Sequence, residues 1–127
     1  MMTDFSFADM RGCNLTGADL RGAKLQRTNL SGATLDGARF DTLEVGSGRG
    51  GSVAANLQLA KLRGASLVGT DFSDANLEGA DLSKSDLRNA DLRDAKLNDT
   101  DFTDAVIDGA KMKSSDLKGA KGMPRPN

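Results

Sequence analysis

Along most of this 127-residue chain every fifth residue is large and apolar, and the residue two before it is small. One register runs through Phe5, Met10, Leu15, Leu20, Leu25, Leu30, Leu35 and Phe40. A second runs through Leu57, Leu62, Leu67, Phe72, Leu77, Leu82, Leu87, Leu92, Leu97, Phe102, Ile107, Met112 and Leu117. Two residues ahead of these twenty-one positions stand only Ala, Thr, Ser and a single Cys, Cys13. So strict a repeat limits the architecture before any motif is considered.

With the large residue written as i, a helix fails to satisfy the pattern. Five residues advance a helix by about 500°, so successive leucines scatter around the axis and no apolar stripe forms. A continuous strand fails as well, because side chains alternate with period two and a step of five flips the face each time. A short extended piece followed by a corner does satisfy it, with i−2 and i inward and i−1 and i+1 outward. Ten of the fifteen glycines stand at i+2, among them Gly12, Gly22, Gly64 and Gly79, where a tight turn asks for unusual dihedrals. Each repeat is then one side of a polygon, and stacked coils bury the leucines in a central column.

The segments Ala18-Asp19-Leu20-Arg21-Gly22, Ala75-Asn76-Leu77-Glu78-Gly79 and Ala80-Asp81-Leu82-Ser83-Lys84 resemble the A(D/N)LXX unit of the pentapeptide-repeat family. The resemblance covers residues 3–42 and 55–121. It implies an all-β fold, a right-handed quadrilateral β-helix with four repeats per coil, about five coils in all and one interrupting loop. The four-sidedness comes from the family, not from the spacing. At ~4.8 Å per coil the solenoid is on the order of 25 Å long. The whole of 1–127 reads as one domain, with a tail at 122–127.

Composition narrows the chemistry. A lone cysteine rules out an intrachain disulfide, and Cys13 at an i−2 position reads as small buried filler. Without histidine the chain lacks the commonest acid–base group and metal ligand. The opening MMTDFSFADM has no basic stretch followed by an apolar run, and no segment approaches a membrane span, so a cytoplasmic protein is expected. Net charge is −1, yet residues 71–104 carry ten acids against four bases, while 105–127 carry a net +3. An acidic middle with a basic end is a polarised rod.

Phe40 and Leu57 are seventeen residues apart, so the register slips between them. Val45 falls where the first register wants its large residue, which makes 43–47 one irregular side and Gly48–Ala54 a protruding, mobile loop. Glycines 46, 48, 50 and 51 surround Arg49, a composition also met in engineered linkers. The same stretch spells G-x-G-x-x-G, but the chain re-enters the pentapeptide register at Ala55, leaving no room for the helix that a dinucleotide site requires. No cofactor is expected.

Asp91/Asp94 and Asp101/Asp104 are spaced as paired carboxylates, but a filled solenoid offers no concave pocket for catalysis, and Asp is routine at i−1. The reading is therefore non-catalytic: a protein-interaction or scaffold module presenting a rigid β-helical surface to an unidentified protein partner. Candidate contact residues are Asp71, Asp74, Asp81, Asp91, Asp94, Asp101, Asp104, Arg49, Val68 and Val106. Leu59 is noted too, since it stands where most repeats have Gly or a polar residue. A solenoid end, the N-terminal coil above all, is the expected route of self-association or docking. The family resemblance adds an alternative. One subgroup imitates duplex DNA to bind bacterial type II topoisomerases (DNA gyrase or topoisomerase IV) and protects them from quinolones or toxins. A narrow rod with spaced carboxylates suits that role without itself binding nucleic acid.

Overall fold

The computed structural model describes residues 3–44 and 51–123. In the first coil the i−1 residues bridge in parallel to those twenty positions on: Asp4 to Lys24, Asp9 to Asn29, Asn14 to Thr34, and Asp19 to Arg39. Four repeats therefore close one coil, and the four sides stack as four faces. Face A carries Asp4, Lys24, Asn56, Asn76 and Lys96 in its bridging column. Face B carries Asp9, Asn29, Lys61, Asp81, Asp101 and Lys121. Face C carries Asn14, Thr34, Ser66, Asp86 and Val106, and face D carries Asp19, Arg39, Asp71, Asp91 and Lys111.

Backbone groups are satisfied coil to coil. On face A, Leu25 N–H donates to Asn56 O at 2.7 Å, and Asn56 N–H donates back to Ala23 O at 3.0 Å. Each corner is closed by the i+3 N–H donating to the carbonyl of i, as Ala33 does to Leu30 at 3.0 Å. From Phe7 to Gly109, every i+2 residue has a positive φ except Thr42, where the register breaks. A positive φ at that position alone defines a type II turn. This geometry is what the glycine pattern encodes. Nine corners place a side chain there instead, at roughly 1–2 kcal/mol each for a residue with Cβ, less for Asn and Asp.

The interior is dry and sealed through its middle. Leu25, Leu30, Leu35, Leu57, Leu62, Leu67, Leu77, Leu82 and Leu87 are fully buried, with Ala at most i−2 positions. Phe40 and Phe72 stack on face D with ring centroids 4.8 Å apart. Where Thr replaces Ala, the hydroxyl finds a carbonyl: Thr100 Oγ1 donates to Leu77 O at 2.6 Å. Cys13 is only half-buried, as are Phe5, Met10 and Leu15, because the first coil is packed from one side. At the other end the side expected at Leu117 is replaced by a 3-10 turn, Ser114–Leu117, after which Lys121 rejoins face B by bridging Asp101.

The interruption differs from the expectation for 43–54. Leu43 and Glu44 do not begin a further side of the solenoid. Leu43–Glu44 (β1) pairs antiparallel with Ser52–Val53 (β2), Leu43 opposite Val53, as the base of a hairpin arm. Ala55 N–H donates to Phe40 O at 3.3 Å, the ordinary corner bond, so the coil passes straight from Phe40 to the Leu57 side. The insertion is therefore 43–54, and removing it restores the five-residue step between Phe40 and Leu57. Val45, Arg49 and the expected mobile stretch 48–50 lie outside the described residues, and Ser52–Val53, following the glycines, are strand rather than helix. The arm leans on the first coil: a Cβ at Gly22 would meet Leu43 Cβ at 3.1 Å and Val53 O at 3.3 Å.

Deleting 43–54 should leave a folded solenoid. The rejoined corner then needs Thr42 at positive φ, which it does not have now. Combining the deletion with Thr42→Gly should therefore be more stable than the deletion alone by about 1–2 kcal/mol in denaturant unfolding. Equal stability, or an unfolded deletion variant in both backgrounds, would contradict this account of the corner.

Candidate functional site

The acidic residues divide between opposite faces. Asp81 and Asp101 sit on successive coils of face B, Asp71 and Asp91 on successive coils of face D. Asp74 and Asp94 follow Phe72 and Leu92 at the corner between faces D and A, and Asp104 lies at the corner between B and C. No single face collects them. Val68 and Val106 share face C but are two coils apart, with the Arg88–Asp86 ion pair (2.7 Å) on the coil between.

Most of these carboxylates also have local work. In an A-D-L-X side the i−1 and i+1 residues lie on the same outer strip, so the i−1 carboxylate can accept the i+1 backbone N–H. Asp71 accepts Ser73 N–H at 2.9 Å and its hydroxyl at 2.6 Å. Asp101 does the same with Thr103, at 2.9 and 2.6 Å, and Asp81 with the Ser83 amide at 2.9 Å. Asn14, Asn29, Asn56 and Asn76 make the equivalent amide bond, which explains the Asp/Asn preference as a turn-forming device. With Arg at i+1 the carboxylate is also paired, as in Arg93–Asp91 at 2.8 Å, and Asp94 accepts from Lys113 at 2.7 Å.

These bonds favour the charged form. The side-chain hydrogen bond from Arg21, with its backbone N–H, holds Asp19 at about 2 against an ordinary 3.8. Asp9, Asp86 and Asp91 are lowered first by their own Arg neighbours, and Asp101 first by Thr103. A lowered folded-state value stabilises the fold above pH ~4 and is lost as pH falls through the folded value. Thermal midpoints should hold from pH 7 to 4 and decline between pH 4 and 2. A flat profile through pH 2 would show that these bonds do not survive in solution.

One corner of the solenoid departs from the rest. Between faces A and B, successive coils place Phe7, Arg27, Leu59, Gly79 and Asp99 at i+2. The corner between C and D has Gly17, Gly37, Gly69 and Gly109, broken only by Asn89. Three consecutive coils at the A–B corner thus replace glycine by bulky residues, at φ 66° for Phe7, 56° for Arg27 and 60° for Leu59. Large side chains in this region are outliers, and such strain concentrates at functional sites.

These side chains are also uncovered. Phe7 is 73% exposed and Leu59 45%, two of the three exposed large apolar residues among those described. Leu59 lies along the surface over Gly79, where a Cβ would come within 2.6 Å of its Cδ2. With Gln26, Gln58 and Glu78 alongside, they line an open groove of about 520 Å3. Among the described residues no ion pair involves Arg27. Sequence reasoning noted Leu59 but not Phe7 or Arg27 as partners to it. The signal was a large residue at i+2 recurring every twenty residues, once the twelve-residue insertion is removed.

The family model for pentapeptide repeats matches residues 3–41, 55–94 and 85–121. No curated protein matches. Among solved structures, a pentapeptide repeat protein of the Arabidopsis thaliana thylakoid lumen is 32% identical over 83% of this chain, with a TM-score of 0.45. This chain spans 57% of that protein's length. A pentapeptide repeat protein of the cyanobacterium Cyanothece 51142 is 22% identical, with 87% of this chain and 88% of the other covered and a TM-score of 0.49. QnrB1, a plasmid-mediated fluoroquinolone resistance protein, is 19% identical over 91% of this chain and 70% of its own, with a TM-score of 0.39.

Proposed function

This chain belongs to the pentapeptide-repeat family, whose members fold as right-handed quadrilateral β-helices, and on that premise we propose that it is a non-catalytic protein-interaction module whose contact surface is the corner between faces A and B. The observation that carries this is the placement of exposed Phe7 and Leu59, both at positive φ, on one edge of the rod, whose third exposed large apolar residue among those described, Val106, stands apart on face C. An exposed apolar side chain gains little for the fold at a strained position where glycine is the default. Contact with another molecule supplies the missing burial, since apolar side chains that become covered on binding dominate interface energies.

Supporting this reading, several outward carboxylates of the other faces are engaged within the repeat. Carboxylates on faces B and D hold their own i+1 amides and side chains, and exposed ion pairs of this kind contribute only about 0–1 kcal/mol each. Imitation of duplex DNA draws no support from this arrangement, because the acids fall on opposite faces with lysines and arginines in the same columns. A supercoiling assay with a type II topoisomerase, with and without a quinolone, separates the two readings: no protection is expected.

The proposal is tested by affinity capture from the native source, using a control in which outward residues of faces B, C and D are replaced and the A–B corner is kept. A partner retained in fixed stoichiometry by both proteins supports the module reading. Absence of any stoichiometric partner overturns it.

A further inference from the structure

Resting on that reading, we infer that the groove at the A–B corner takes an extended peptide segment of its partner, lying along the solenoid axis, with a large apolar side chain on either side of a carboxylate and a basic side chain further on. The order of groups along the corner sets this pattern. Phe7 stands on the first coil, Arg27 on the second, Leu59 on the third, Gly79 with Glu78 on the fourth, and Asp99 on the fifth. Successive coils are ~4.8 Å apart, so Phe7 and Leu59 are about 10 Å apart with the Arg27 cation between them.

An apolar strip interrupted by one unpaired cation fits a segment that offers two apolar groups with an acid between. Leu59 lies over Gly79 and carries the apolar strip onto the fourth coil, and the groove ends against two carboxylates, Glu78 and Asp99, the latter 3.7 Å from Lys121 Nζ. That end attracts a base. Arg27 lies two coils from Glu78 and three from Asp99, about 10–14 Å, which an extended chain spans in about four residues with both end side chains on the same face. The occupant is therefore polarised acid to base along the rod, opposite in sign to the groove it fills. Extension suits the shape as well, because the groove runs along an edge of a straight solenoid and offers no depth for a helix.

The test uses two synthetic peptides on the full chain labelled with 15N. One is acetyl-Phe-Ser-Glu-Ser-Leu-Ser-Lys-amide, which puts Phe, Glu, Leu and Lys on one face of an extended chain; the other exchanges Glu and Lys. The first should shift amide resonances at the A–B corner, residues 6–7, 26–27, 58–59 and 78–79, and bind at least fivefold more tightly than the second. In Arg27→Glu/Glu78→Lys the preference should invert, an outcome that lost folding could not produce. Phe7→Gly/Leu59→Gly, which introduces the residue that other corners already use, should keep a dispersed spectrum and lose the shifts.

No shift at millimolar peptide, equal binding of both peptides, or shifts confined to faces B, C or D would overturn the inference. The capture experiment distinguishes this from failure of the module reading. A stoichiometric partner still held by Phe7→Gly/Leu59→Gly would leave an interaction module whose contact lies elsewhere.

Discussion

Leu87→Asp is expected to abolish the folded state. Leu87 is fully buried on face C, stacked between the Leu67 and Ile107 sides, and its N–H already donates to Val106 O at 2.7 Å. A carboxylate there would have neither water nor a cation, and a buried unpaired charge is disfavoured by several kcal/mol even after relaxation. Domains of this size are stable by only about 5–15 kcal/mol, so the loss consumes most of the margin. The solenoid offers no escape by rotation, because a one-residue slip would turn every i and i−2 residue of that side outward. Circular dichroism should show a disordered chain, or a thermal midpoint lowered by tens of degrees. A midpoint close to wild type would mean that the i positions do not face inward.

The second large effect is at the aromatic pair. Phe40 and Phe72 are both fully buried, with ring planes 10° apart and centroids 4.8 Å apart. Phe72→Ala removes a large buried side chain and its stacking contact with Phe40 together, with an expected loss of about 3–5 kcal/mol. Of that, roughly 0.5–1.5 kcal/mol belongs to the stacking itself and should appear as coupling in a double-mutant cycle with Phe40→Ala. Additive single losses would show that each ring packs against leucines rather than against the other. The pair lies where the insertion interrupts the coil, so it also fastens the two registers across that break.

The column of buried residues was legible because a period of five matches neither helix nor strand, and its inward set follows from alternation alone. The number of sides was not legible from spacing, since five residues per side says nothing of how many sides close; the twenty-residue bridges Asp4–Lys24 and Asp9–Asn29 show it. The extent of the insertion was not legible, because the pairing of Leu43 with Val53 joins residues ten apart that no spacing in the repeat marks. The acidic residues were read as a surface, whereas Asp71, Asp81 and Asp101 hold the amides two residues on. That role depends on i−1 and i+1 sharing a strip, a property of the folded side. The A–B corner was hidden for the same reason as the four sides. Phe7, Arg27 and Leu59 are neighbours only after coils of twenty residues are stacked and 43–54 is set aside.

The bulky side chains at the A–B corner serve contact and not the fold. Unfolding of Phe7→Gly/Leu59→Gly by denaturant tests it most directly. Relief of positive φ, roughly 1–2 kcal/mol per residue, offsets the partial burial lost and the extra chain entropy of glycine, each on the order of 1 kcal/mol. The stability should stay within about 1 kcal/mol of wild type, although two large apolar side chains have gone. A loss approaching the ~3–5 kcal/mol expected for Phe72→Ala would contradict it, placing Phe7 and Leu59 among the residues that hold the solenoid together.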